Sequence, residues 1–210
     1  MSLMDQPMLL LAWVIAIFIV LSIHEFAHAW AGTLLGDNTA KLSGRLTLNP
    51  LSHVSWLGFV MLLLVGFGWG KPVPFNPYNL KYKRFGPAIV AVAGPLSNLI
   101  LAIICGIALK FIALNGVVPP ENLLIQFLNL MVVLNIILMI FNLLPVPPLD
   151  GSKILFSFFS GVKYAPMRQV LENQGPFILM LIIIFDNFFN VNILSGLFHW
   201  VIDFVYKLIF

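Results

Sequence analysis

The sequence predicts an all-α polytopic membrane protein with about five transmembrane helices and a short re-entrant, partly β-like segment between the first and second. Of its 210 residues, 60% are hydrophobic and only 9% are charged, whereas soluble domains are about 45–50% apolar and about 25% charged. The charges are spaced so that several uncharged runs reach the roughly 18 residues that a helix needs to cross a bilayer. This composition argues against a disordered chain and a nucleic-acid binder, and one cysteine allows no internal disulfide.

Five apolar runs account for the predicted spanning helices. The first covers residues 7–23 and continues as helix to about Leu35, where Gly36 ends it. The second and third are the uncharged runs 85–109 and 122–149, and in the latter the helix is expected over residues 122–144. Two further runs, one on each side of Asp186, predict a C-terminal helical hairpin at about 173–210.

The apolar run 54–70 does not fit a spanning helix. It is short and contains four glycines, which weaken a helix. The preceding stretch 40–48 has leucines at alternating positions, broken around Gly44, which is typical of a strand. We therefore expect an extended segment at 40–48, followed by a loop at 54–70 that enters the membrane and returns to the same side.

The basic residues predict the orientation, because Lys and Arg collect on the cytoplasmic side of short loops. Residues 71–84 carry four of them and residues 153–168 carry three, whereas the loop 115–122 carries none. Both basic loops are therefore expected in the cytoplasm. With five crossings, the N-terminus then lies outside and the C-terminus inside.

The first helix contains the pattern H-E-x-x-H, from His24 through Glu25 to His28. Positions i and i+4 share a helix face, so the two imidazoles can bind one metal ion. Glu25 lies beside the pair and can act as a general base on an attacking water. A chance match is the alternative, but a charged residue in a membrane helix costs about 2.5–3.5 kcal/mol on insertion scales, so such a group needs a partner or a function.

A catalytic metal site normally has three protein ligands and one open position. Asp150 is the favoured third ligand, because it follows three prolines that interrupt a helix at membrane depth. Irregular backbone there is tolerated only when it is buried in protein or lines a wet cavity. A solvated Asp150 in a surface loop is the alternative, and the other available side chains are His53, Glu121, Glu172, Asp186, His199 and Asp203.

These motifs resemble the site-2 protease family of intramembrane zinc metalloproteases. The H-E-x-x-H pattern is followed by Gly94 to Asn98, similar to the family's G-x-x-x-N signature, and by Asn142 to Gly151, which reads N-x-x-P-x-x-P-L-D-G in full register. The resemblance covers residues 9 to about 154. Only Ser152 departs from it, since many members have a second glycine there.

The resemblance implies a site and an activity. One zinc ion would be held by His24, His28 and Asp150, with Glu25 as catalytic base and Asn142 at the substrate carbonyl or its oxyanion. The enzyme would be a zinc endopeptidase that cleaves transmembrane segments of membrane proteins, either in regulated intramembrane proteolysis or in clearance of signal-peptide remnants. Its partners would be the lipid bilayer and a substrate's transmembrane helix, and the active site would face the cytoplasmic side.

The expected organisation is a single membrane-embedded protease domain over residues 1–210, with a catalytic core at about 8–155. It would be a compact form without a peptide-binding or nucleotide-sensing domain. Two alternatives remain. A membrane metal transporter would string ligands across the bilayer, and an inactive relative acting as an adaptor would have lost Glu25 or a ligand. His53 is expected to stabilise its loop, with a contact to a metal ligand or to substrate as the alternative, and Asn98 is expected to join helices rather than take part in the chemistry.

Overall fold

The computed structural model describes residues 6–65, 68–116, 118–119, 121–188 and 192–209. Within these residues the protein is helical and contains no β-strand, so the all-α prediction is confirmed. The helices of the described residues are α1 (Pro7–Leu34), α2 (Thr39–Leu42), α3 (Trp56–Val65), α4 (Gly86–Leu114), α5 (Leu123–Leu143), α6 (Asp150–Phe158), α7 (Ala165–Phe188) and α8 (Ile193–Ile209).

Four segments of the described chain are long and apolar enough to cross a membrane, which makes this an integral membrane protein. They are Pro7–Leu34, Gly86–Leu114, Leu123–Leu143 and Val162–Asp186. Helix α8 has 17 residues, at the lower end of the about 17–25 that span a bilayer. The fifth crossing therefore depends on α8 and stays a prediction.

Helix α1 is a continuous rod that carries the first motif. Pro7 stands in its first turn, where the missing N–H costs no hydrogen bond. Its 28 residues extend for about 42 Å at 1.5 Å per residue. Gly36 has a φ of +98°, a left-handed conformation that favours glycine and turns the chain away from the helix axis. The predicted helix end near Leu35 is confirmed.

The stretch 40–48 is not a strand, so the predicted partly β-like character of this segment is wrong. Asp37 accepts hydrogen bonds from the backbone N–H and the hydroxyl of Thr39, and these hold the first turn of α2. Gly44, with a φ of +68°, then directs the chain into irregular backbone. Leu42 and Leu48 are 85% and 58% exposed, so the alternating leucines do not mark one buried face of a sheet.

The two ends of the apolar run 54–70 meet each other. Val54 and Gly70 form an antiparallel bridge, and the backbone N–H of Lys71 donates to His53 O at 2.7 Å. Between them α3 has 10 residues, about 15 Å of helix, half the roughly 30 Å hydrocarbon core. This is the geometry expected of a loop that enters and leaves on one side, and its placement in the membrane stays a prediction.

The core lies between α1, α4 and α5, with α4 also packed on α6 and α8 packed on α5. Its buried members are Ala16, Val20, Ala102, Cys105, Met131, Val132, Ile136 and Ile140. Small residues on α1 and α4 let these helices approach closely. Such residues are common between membrane helices, because lipid tails are as apolar as the side chains and helix association therefore depends on close packing. The motif residues of all three helices lie at one end of this core.

Candidate metal centre

Helices α1 and α6 bring His24, His28 and Asp150 together. The two Nε2 atoms are 3.0 Å apart, and Asp150 Oδ2 lies 3.3 Å from His24 Nε2 and 3.0 Å from His28 Nε2. The three residues are 3%, 8% and 5% exposed. In the described residues they form the one group of three His, Cys, Asp or Glu side chains able to hold a metal.

The proline-interrupted segment delivers Asp150 to this point. Helix α5 ends at Leu143, and α6 begins at Asp150 after a bend that contains the three prolines. Gly151 makes the approach possible, because a Cβ there would overlap the carbonyl oxygens of Leu143 and Leu144. The first turn of α6 therefore lies directly against the end of α5, and its carboxylate faces α1.

Both imidazoles are oriented through their Nδ1 atoms. His28 Nδ1 donates to Val90 O at 2.7 Å, and His24 Nδ1 lies 2.6 Å from Asn98 Oδ1. Each ring thus turns Nε2 toward Asp150. Helix α4 can come this close because of Gly94, where a Cβ would overlap His28 Nε2 and lie 2.6 Å from His24 Cε1.

The three converging atoms fit a zinc ion. A tetrahedral zinc with bonds of about 2.0–2.2 Å places its ligand atoms about 3.3–3.5 Å apart, close to the observed 3.0–3.3 Å. Because its Nδ1 carries the proton, His28 presents a lone pair at Nε2. Asp150 Oδ2 is buried and has no hydrogen-bond partner among the described residues. Such electron-rich atoms repel one another unless a cation lies between them.

Glu25 lies beside the trio and is held by the backbone of an extended segment. Its Oε2 accepts a hydrogen bond of 3.2 Å from the N–H of Val73. Pro72 and Pro74 flank Val73 and have no N–H, so Val73 is the one donor of this triplet. The sequence analysis missed Val73, although a P-x-P pattern marks a stiff extended stretch with a single donor.

A cavity of about 110 Å³ opens onto these groups. Asn142 also lines it, and its Nδ2 donates to Leu138 O at 3.0 Å, while its role at the oxyanion stays a prediction. Lys153, which was not predicted, lines it too. Its Nζ lies 3.3 Å from Asp150 Oδ1 and 5.5 Å from the centre of the Phe75 ring. The spacing of three residues on α6 was the available signal for this contact. The full lining is His24, Glu25, His28, Pro72, Val73, Phe75, Val90, Asn142, Pro148, Asp150 and Lys153.

Comparison of the sequence with known proteins identifies the family. The model of Peptidase family M50 matches residues 116–185. A Bacillus subtilis protein named "Putative zinc metalloprotease YwhC" is 40% identical over 173 residues, covering 81% of this chain and 78% of that protein. The chain belongs to peptidase family M50. It is therefore a metallopeptidase, and the resemblance to site-2 zinc metalloproteases is confirmed.

Two mycobacterial proteins extend the comparison. The proteins of Mycolicibacterium smegmatis and Mycobacterium tuberculosis named "Putative zinc metalloprotease Rip2" are each 31% identical, over 138 and 156 residues. These matches cover 62% and 70% of this chain but only 51% and 56% of those proteins. The chain thus spans about half the length of these relatives. No solved structure matches it.

The remaining candidate side chains of this M50 metallopeptidase lie away from the cavity. His53 is fully buried, and its Nε2 donates to Thr47 O at 2.8 Å, within the loop as expected. Burial lowers the pKa of His53, which favours the neutral ring. The other possible third ligands do not join the metal-binding group: Glu121, Glu172, Asp186, His199 and Asp203.

Proposed function

We propose that this M50 metallopeptidase is an intramembrane zinc endopeptidase that cleaves transmembrane segments of other membrane proteins. One observation carries the proposal. Two imidazoles from a membrane-spanning helix and one carboxylate from α6 converge to within 3.3 Å of one another, with the carboxylate of Glu25 beside them in the same cavity. Three protein ligands with an open position are the usual composition of a catalytic zinc site.

The proposed chemistry assigns roles to several of the residues that line the cavity. His24, His28 and Asp150 would hold zinc, which when bound supplies Lewis-acid polarisation of the scissile carbonyl and makes water more acidic. Glu25 would accept the proton of the attacking water and later transfer it to the leaving amine. The Val73 N–H holds one oxygen of Glu25 in place for this transfer. Asn142, with an amide proton still free for substrate, would donate to the oxyanion.

The size of the cavity constrains how a substrate is bound. An α-helix with its side chains is about 10–12 Å wide, which a cavity of about 110 Å³ cannot contain. A transmembrane helix also hides its carbonyls in its own hydrogen bonds. The substrate would therefore unwind locally and present an extended stretch of backbone to the cavity, at the place bordered by Val73 and Phe75.

The proposed orientation places the cavity toward the cytoplasm. His24 and His28 lie in the second half of α1, near the end where Leu35 O accepts a hydrogen bond from the N–H of Lys81 in the basic loop 71–84. Asp150 precedes the second basic loop. With both loops cytoplasmic, α1 would run from outside to inside, and water would reach the site from the cytoplasmic side.

The arrangement supports hydrolysis better than metal transport or an adaptor role. A transport pathway would need further ligand groups along the membrane, and the described residues hold a single one. An inactive adaptor would not need a carboxylate held in position next to the metal ligands. Glu25 is present and is held there by a backbone hydrogen bond.

Metal removal tests this function directly. The purified protein, reconstituted in liposomes with a model transmembrane substrate, should contain one zinc per chain and cleave the substrate. A zinc chelator should abolish cleavage and zinc addition should restore it, with a His199→Gln protein behaving like the wild type. Cleavage by the zinc-free protein, or zinc flux into the vesicles without any cleavage, would reject the proposal.

A further inference from the structure

We infer that Asn98 and Asn135 are positioning residues, which together fix the proton of His24 on Nδ1 and leave its Nε2 free for the metal. The inference rests on the proposed zinc site and extends it two residues outward, to side chains that touch neither metal nor substrate. Asn98 lies on α4 and Asn135 on α5. Both are 0% exposed, so no water competes for their amide groups.

These residues form a continuous chain of hydrogen bonds. Asn135 Nδ2 donates to the backbone O of Met131 at 2.7 Å. Asn98 Nδ2 donates to Asn135 Oδ1 at 2.9 Å. Asn98 Oδ1 then lies 2.6 Å from His24 Nδ1. The chain therefore links the backbone of α5 to an imidazole of α1 through α4.

The direction of the chain follows from its first member. A backbone carbonyl can only accept, so the amide group of Asn135 facing Met131 must be its NH2. Asn135 then presents its oxygen to Asn98, which must answer with its own NH2. Asn98 consequently presents its oxygen to His24, and an oxygen there requires a proton on Nδ1. The backbone carbonyl of Met131, which is three hydrogen bonds away from His24, thus sets the tautomer of His24.

The opposite orientation of the Asn98 amide would prevent His24 from binding a metal. If the amide of Asn98 were reversed, its NH2 would face His24 and Nδ1 would have to accept. The single proton of the neutral ring would then sit on Nε2, directed at Asp150 Oδ2, 3.3 Å away. A protonated nitrogen has no lone pair for a metal, so zinc would have to compete against this bond.

His28 shows by contrast why His24 needs this relay, the series of hydrogen bonds through Asn135 and Asn98. Its Nδ1 donates directly to the backbone carbonyl of Val90 at 2.7 Å, so no side chain has to set its tautomer. His24 has no such carbonyl and depends on a side-chain amide, which on its own could face either way. Asn135 removes that freedom. A role in helix joining alone, as expected from the sequence, would need only the link between Asn98 and Asn135.

The first test reads the tautomer without metal. In chelator-treated protein with 15N-labelled histidine, NMR should show His24 protonated on Nδ1, its signals being assigned by their loss in His24→Gln. Asn135→Leu should give a mixture of His24 tautomers, with the His28 signals unchanged. Asn129→Leu, the same substitution at an exposed position of the same helix, removes a hydrogen bond with Tyr206 but no contact of this series, so its His24 signals should match the wild type. A proton on His24 Nε2 in the wild type, which needs no variant, would overturn the inference, as would unchanged His24 signals in Asn135→Leu.

The second test separates a relay from two independent structural effects. Outer hydrogen-bond partners of metal ligands typically contribute about 10–100-fold to metal affinity, so Asn98→Leu and Asn135→Leu should each weaken zinc binding by that factor. In a relay the double variant loses no more than Asn98→Leu alone. The carboxylate of Asn98→Asp can only accept a hydrogen bond from His24 Nδ1–H, so it needs no second amide to orient it. Asn98→Asp should therefore restore the Nδ1-protonated tautomer in the Asn135→Leu background. Additive losses, or no rescue, would overturn the inference. Absence of zinc from the wild type would defeat the proposed function, while the metal-free tautomer measurement would still decide this one.

Discussion

At the scale of single residues, Gly94 lies where the two imidazoles leave no room for a side chain. A methyl group there would overlap an imidazole nitrogen of His28 and press on His24. We expect Gly94→Ala to displace the rings and weaken zinc binding by at least about tenfold, the size of effect seen when ligand orientation is lost. Gly196→Ala is the matched control, since a Cβ at that α8 position meets nothing within 4 Å. Equal zinc affinity of the two variants, measured by chelator competition, would show that α4 does not confine the imidazoles.

The Val73 N–H provides a second prediction at this scale. Val73→Pro removes the backbone N–H that donates a hydrogen bond to Glu25, while it keeps the extended backbone favoured by the neighbouring prolines. Hydrogen bonds to charged groups contribute about 1.5–3 kcal/mol, so kcat/KM for cleavage should fall by about tenfold or more, with the zinc content unchanged. Val73→Ala keeps the N–H and should retain activity. If both variants cleave equally well, the backbone contact does not position Glu25.

At the scale of elements, charge gaps predicted the major helices well and their ends less well. The run 85–109 is the core of α4, which continues to Leu114 past Lys110. A lysine near a helix end can extend its ammonium toward the interface, so a charge does not have to end a membrane helix. The uncharged run 122–149 is longer than the helix in it, because the prolines end α5 at Leu143, one residue before the predicted end at Leu144.

The grouping of His24, His28 and Asp150 was predictable from the sequence, but the contacts that orient these side chains were not. H-E-x-x-H and the proline-interrupted motif carry their own spacing signals, and the resemblance supplied their pairing. Val73 meets Glu25 across 48 positions of sequence, and Asn98 meets Asn135 across 37. No local periodicity encodes such distant pairs, so they emerge only from helix packing. Helix α2 was missed for a different reason, because its first turn depends on a local side-chain contact, that of Asp37 with Thr39 two residues later.

Asp37 links two elements and gives a pH-dependent prediction. It is buried and accepts hydrogen bonds from Thr39, Asn76 and Asn79, which fasten the loop after α3 to the end of α1. Burial alone would raise the pKa of Asp37, but these hydrogen bonds outweigh it and hold the pKa below its ordinary value. A carboxyl group with a lowered pKa stabilises the fold above its unfolded pKa of about 3.9 and loses that contribution as the pH falls through the folded pKa.

Asp37→Asn should therefore be destabilising at neutral pH by about 1.5–3 kcal/mol, the loss expected for hydrogen bonds to a charged group. The deficit relative to wild type should shrink as the pH falls below about 4, because the carboxyl group is then protonated in the unfolded chain while the folded protein still holds it as a carboxylate. Denaturation midpoints of the two proteins in detergent micelles, measured from pH 7 down to pH 3, check this. A deficit that is constant across this range would contradict the role of the charge.

At the scale of the whole molecule, the fold makes a topological prediction. The backbone N–H of Lys81 donates to Leu35 O at 2.8 Å, so the loop after α3 returns to the end of α1. Single cysteines at Asn38 and Asn79, in a Cys105→Ala background, should thus be labelled by an impermeant reagent from the same side of the membrane. Labelling from opposite sides would mean that residues 54–70 cross the bilayer.

The central claim is that one chain combines a membrane-embedded zinc site with a carboxylate that activates water. Glu25→Gln tests it most directly, because the amide keeps the size of the side chain but cannot accept a proton. Metal analysis and cleavage of a reconstituted transmembrane substrate should be measured on the same preparations of wild type and variant. We predict one zinc per chain in both proteins and cleavage by the wild type only. Cleavage by Glu25→Gln at the wild-type rate would contradict the account.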